Sequence, residues 1–173
     1  MPVWSKMRHK LENEYLAPSL RGHIQYFCTR YTHSHDEEGR ASIRLDGKEI
    51  LKGCYYNFWL KFPEDEQTLE KRFRPFDYIN ETALKLGAFD QRSFYSAFEK
   101  FDNQSIEESL VSENLIVRIF AILDRRVGKR RLIKLKDNLN PEEEIFNTFF
   151  AIRAKAEGII NLDTENKKSG VIL

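Results

Sequence analysis

Only two cysteines occur among 173 residues, Cys28 and Cys54, and neither stands in a CxxC or Cys/His spacing. That scarcity excludes a disulfide scaffold and a cysteine-ligated zinc module. It suits a reducing compartment with two small half-buried side chains, and no bond between them is expected. No run of about 18 apolar residues occurs either, which excludes a membrane-spanning helix. The opening MPVWSKMRHKLENEYL lacks the apolar stretch of a secretory signal, so the protein is expected in the cytoplasm. An excess of one charge is missing too. With 28 Lys and Arg against 27 Asp and Glu, the global field gives no reason for attraction to membrane or broadly to nucleic acid. Any affinity for anions must be local.

Several motifs are absent. There is no Gly-x-Ser-x-Gly elbow, no Cys with a His nearby, and no glycine pattern that cradles phosphates. Gly22, Gly39, Gly47 and Gly53 read as strand edges and turns. The acidic runs EDE and EEE sit where helix N-termini favour them. No catalytic residue is assigned and no cofactor is expected.

What is present is apolar and aromatic: hydrophobic residues make up 41% of the chain, with 13 Phe and 7 Tyr, enough for an aromatic-rich core. One α+β domain is expected over residues 1–160, with a frayed tail over 161–173 that includes TENKKSG. Trp4, Met7, Leu11 and Tyr15 recur at spacings of three and four, an amphipathic helix that Ala17 and Pro18 end, with Lys6, Arg8 and Lys10 facing water. From Gly22, GHIQYFCTRYT reads as a strand, followed by the polar loop HSHDEEG. In RASIRLDGKEIL the pair Asp46-Gly47 predicts a type I′ hairpin, since both central residues of that turn need positive φ. The register then sets Leu45 against Lys48, Arg44 against Glu49 and Ile43 against Ile50. A small antiparallel sheet of about three strands over residues 22–53 follows, covered by a C-terminal bundle of four to six helices.

The helical signals are specific. PEDEQTLEKRF opens with Pro and acids, and DYINETALKL carries Ile79, Ala83 and Leu86 up to a stop at Gly87. Phe94, Phe98 and Phe101 share one helix face with Tyr95 beside them and are read as core, not as a stacking platform for bases. Ser105 and Ser112 are expected N-caps, and Leu115 to Leu123, interrupted only by Arg118, is expected to be the central buried helix. A last helix opens at NPEEEIF with Asn140 as N-cap and Ile145, Phe146, Phe149, Ile152 and Ala156 on its inner face.

The blocks HSHDEEGR, DGKEIL, GAFDQRSFYSAFEKFDNQSIEESLVSEN and AILDRRVGKRRL resemble a small family of bacterial proteins that begin with a similar MP-W-SK segment. The resemblance spans nearly the whole chain. It implies a bacterial cytoplasmic protein of one domain, and it supplies no catalytic residues, cofactor or partner.

Two candidate sites emerge. His33 and His35, two apart with Asp36 adjacent, could turn two imidazoles and a carboxylate toward one metal ion, the alternative reading being a metal-dependent enzyme built on that loop. The cationic run DRRVGKRRLIKLK divides at Gly128. Arg125 and Arg126 belong to the last turn of the buried helix and Gly128 stops it, so Arg118, Arg125 and Arg126 are expected to be engaged internally. Beyond Gly128, Leu132, Ile133 and Leu135 tend inward, leaving Arg130, Arg131 and Lys134 exposed as a surface for an anionic partner. The function favoured is a non-catalytic binding or interaction module whose partner is a protein or a weakly bound anion, with nucleic acid less favoured.

Overall fold

The computed structural model describes residues 3–30, 39–54, 57 and 79–159. Chain order is α1 (Trp4–His9), a π-helical turn (Lys10–Tyr15), a 3-10 turn (Pro18–Leu20), β1 (Ile24–Arg30), β2 (Gly39–Leu45), β3 (Lys48–Cys54), α2 (Glu81–Leu86), α3 (Gln91–Asp102), α4 (Ile106–Leu110), α5 (Leu115–Leu123), α6 (Lys129–Lys136) and α7 (Glu144–Ala156). The sheet is antiparallel in the order β1-β2-β3, and helices follow it, as the α+β reading expects. Residues 33–38 of the loop HSHDEEG, the segment PEDEQTLEKRF and the tail lie outside the described residues.

The hairpin turn forms as its chemistry dictates, with φ of 50° at Asp46 and 80° at Gly47. Leu45 faces Lys48 and Arg44 faces Glu49, but Ile43 pairs with Leu51 rather than Ile50, because the register shifts between Ile43 and Arg44. Such a bulge sets two residues of one strand against one of the other. Ile43 and Leu51 are buried, at 0% and 4% exposure, while Ile50 stays half-buried. Tyr26, Cys28, Ala41 and Ile43 point from β1 and β2 into the same core. Cys28 lies buried on this face, Cys54 ends β3, and both are free thiols.

The helices close over that face. Phe94, Phe98 and Phe101 of α3 are buried, and Phe94 and Phe101 meet Phe120 of α5 edge-on at 5.3 and 5.8 Å. Nearly every side chain of α5 is buried, Arg118 excepted. The caps are partly those expected. Asn80 accepts from the Ala83 amide, Asp90 and Ser93 form a capping box, Ser105 and Glu108 another, and Gly87 ends α2 at φ 64°.

Four local expectations are corrected. Asn114, not Ser112, caps α5, its side chain accepting from the Ile116 and Val117 amides. Asn140 caps only a preceding turn, accepting from the Glu142 amide, and α7 begins at Glu144. The inner face of α7 is Phe146, Phe149, Phe150, Arg153 and Ala154, with Ala156 exposed and Ile145 and Ile152 half-buried. Finally, α5 stops at Leu123, and Gly128, at φ −76°, is the N-cap of α6 rather than the stop of α5.

Candidate functional site

The early end of α5 reorganises the cationic run. Asp124 leaves helical geometry, and the strand-like stretch around it pairs with the segment after the π-turn: the Ala17 amide donates to the Leu123 carbonyl at 2.9 Å and the Arg125 amide to the Tyr15 carbonyl at 2.7 Å. Asp124 is fully buried, and Arg126 wraps around it, donating from its backbone at 2.7 Å and from its guanidinium at 2.8 and 3.0 Å. The same guanidinium lies over the rings of Tyr15 and Phe101, at 5.0 and 5.4 Å.

Arg118 is engaged as expected. It meets Glu143 through two bonds of 2.7 Å and covers the Phe146 ring at 4.4 Å. Arg125 is not: its side chain is exposed, and among the described residues only its backbone is tied down.

On α6, Leu132 is fully buried and Leu135 half-buried, which docks the helix. Ile133, expected inward, is 52% exposed. Arg130 and Lys134, four apart and therefore on one stripe, are exposed as expected. Arg131 departs from expectation: it reaches Glu107 of α4 at 2.7 Å and is half-buried. The structure thus separates the three cations, two unpaired among the described residues and one spent on a charge pair.

Sequence reasoning missed a polar cluster at the π-turn. An α-helix would set Lys10 and Tyr15, five apart, roughly 140° from each other; the wider i→i+5 turn brings them to one side. Both close on Asp102 at the end of α3. Lys10 donates at 2.8 and 2.9 Å, and the Tyr15 hydroxyl at 2.5 Å. Burial raises the Tyr15 phenol, helped by the bond to the carboxylate, up to about 12, so it stays protonated at neutral pH. Burial also works to raise the Asp102 carboxyl, but the donors Lys10 and Tyr15 and the nearby Arg126 hold it below its ordinary value. Every member is satisfied from within. The adjoining cavity, about 420 Å³ between α1 and α3, has its apolar floor, Met7 and Phe98, already closed at 0% and 2% exposure. Nothing in the local spacing marks Asp102, which is 87 residues from Tyr15.

A second missed residue is Arg153. It is 3% exposed on the inner face of α7 and donates to Ser19 at 3.1 Å and to the Val127 carbonyl at 3.0 Å, and pairs with Glu157 at 2.7 Å. It fixes the chain just before α6 begins.

His33, His35 and Asp36 lie outside the described residues. Among the described residues no group of three His, Cys, Asp or Glu is placed to hold a metal ion, and no helix is long and apolar enough to cross a membrane. A cavity of about 520 Å³ between β3 and α2 has Arg40, Lys52 and Lys85 in its wall. Arg40 is paired with Glu49 there, and Lys85 with Glu144 at 3.2 Å.

A model of one protein family, described as the SF0329 protein family, matches residues 3–154. No curated protein and no solved structure matches the chain.

Proposed function

The chain belongs to the SF0329 protein family, and from that premise we propose that it is a bacterial cytoplasmic protein that works by binding, with the exposed stripe of α6 as the surface for an anionic partner. One observation carries this reading. Arg118, Arg126, Arg131 and Arg153 are each held by a carboxylate of the chain, whereas Arg130 and Lys134 face solvent with no carboxylate partner among the described residues.

The stability of α6 favours Lys134, in the last turn, but gives Arg130 no reason to be where it is. Lys129, Arg130 and Arg131 fill the first turn, which has no acid, and Gly128 provides no side-chain cap. Positive charge at the positive end of the helix dipole is unfavourable by roughly 0.3–1 kcal/mol per residue, and like charges four apart, as at Arg130 and Lys134, add to it. An anion docked on the stripe relieves that repulsion. Arg131 supports the surface from behind, since its bond to Glu107 holds α6 to α4.

Polyanion titration tests the reading. A labelled oligonucleotide should bind weakly at low salt, with a log-log salt slope near minus 2 for about two phosphate contacts. Arg130→Ala with Lys134→Ala should abolish binding while leaving the helical circular dichroism unchanged. No polyanion binding by the intact protein at low salt would refute the assignment.

A further inference from the structure

We infer that the partner recognised by α6 is an acidic protein segment with an apolar residue among its acids, seated on Ile133; this rests on the anionic-partner reading above and names the partner's class. Ile133 stands at 52% exposure in the middle of an exposed face otherwise built from Lys129, Arg130, Lys134 and Lys136. Among the described residues only three large hydrophobic side chains are exposed, Val3, Val111 and Ile133. Val111 is the C-cap residue just beyond α4, away from α6 in sequence, so Ile133 is the one of the three that stands on the cationic face. Ile133 lies on the side of α6 away from Arg131, two residues off, and is not part of the core.

The chemistry of the face separates protein from nucleic acid. A phosphate backbone requires cations, and single-stranded bases require aromatic platforms, whereas a lone aliphatic side chain serves neither. The phenylalanine rings of α3 and α5 are turned into the core, and Tyr95 is half-buried against it. An apolar anchor ringed by charge is instead the pattern of a protein interface, where a central side chain is shielded from water by a polar rim. The dimensions agree. The eight residues of α6 span about 12 Å, and Arg130 and Lys134 stand about 6 Å apart along the axis. Two glutamates one helical turn apart on a partner match that spacing, with a leucine between them meeting Ile133.

Three labelled probes test this by fluorescence anisotropy at low and moderate salt: a peptide of glutamate pairs interspersed with leucine, an all-glutamate peptide of equal length, and a thymidine oligonucleotide. The leucine-containing peptide should bind the tightest. Ile133→Ser, at an exposed position, should weaken it about five- to tenfold and leave the other two probes unchanged. If both peptides bind alike and Ile133→Ser changes nothing while Arg130→Ala with Lys134→Ala abolishes binding, the anchor falls and the anionic surface stands. An oligonucleotide that binds more tightly than either peptide, indifferent to Ile133→Ser, makes the partner a nucleic acid and overturns the inference. If no probe binds at low salt, both readings fall together.

Discussion

Tyr15 and Asp102 are joined by a 2.5 Å hydrogen bond between the end of a π-helical turn and the end of α3, with Lys10 closing on the same carboxylate. Because the folded state holds the Tyr15 phenol protonated up to about 12, against 10 when unfolded, the folded chain binds more protons in that interval. Stability from this group is intact below pH 10 and is lost as pH rises through 12. Tyr15→Phe should therefore flatten the alkaline limb of a stability curve followed by urea denaturation, while costing about 1–3 kcal/mol at neutral pH for the lost charged hydrogen bond. An unchanged alkaline limb would contradict the bond.

Acid behaves in the opposite sense. The Asp102 carboxyl is held below its ordinary value, so its contribution is present above that value and fades as pH falls through the lowered one. Lys10→Met should reduce the loss of stability on acidification, read from thermal midpoints between neutral and strongly acidic pH.

Arg118→Ala should destabilise the fold by roughly 1–3 kcal/mol, since it strands the half-buried Glu143 and uncovers Phe146. A double-mutant cycle with Glu143→Ala should return a favourable coupling. Coupling near zero would show the pair to be no more than a surface contact.

Arg153→Ala removes donors to Ser19, Val127 and Glu157 at a buried position and should cost about 3–5 kcal/mol. Arg153→Met with Glu157→Leu, which removes both charges, should recover much of that loss in chemical denaturation.

The bulge makes a prediction at neighbouring residues. Leu51→Ala, in the core opposite Ile43, should cost about 2–5 kcal/mol, and Ile50→Ala clearly less. A larger cost for Ile50→Ala than for Leu51→Ala would mean that the unshifted register, with Ile50 opposite Ile43, is the one populated in solution.

Several features were legible because their causes are local. Asp46 and Gly47 tolerate positive φ, so the turn follows from two residues. Gly87 ends α2 for the same reason, and Ser105 with Glu108 caps α4 from within one turn of chain. The phenylalanine stripe of α3 needed only helical periodicity to be read as core. Of the proposed binding surface, the exposure of Arg130 and Lys134 was legible in the same way.

The rest depended on groups far apart in sequence. The hairpin turn sets a register, but burial of Leu51 under the helices selects the bulge that breaks it. Periodicity predicts an α-helix through Tyr15; it becomes π because Lys10 and Tyr15 share a carboxylate about ninety residues away. Gly128 had the composition of a helix stop, yet α5 ends at Leu123, where Asp124 pairs with the chain leaving the π-turn. Periodicity assigned Arg153 no role, and its burial follows from Ser19, Glu157 and a backbone carbonyl meeting there. By itself the sequence determined the sheet and most helices, the Asp46-Gly47 turn, the Ser105 cap and the Gly87 stop, and the apolar side of most helices, since propensity and periodicity act over a few residues. Only the tertiary structure decided which cations are paired within the chain and which stay exposed, because a charge's partner is set by distance in space.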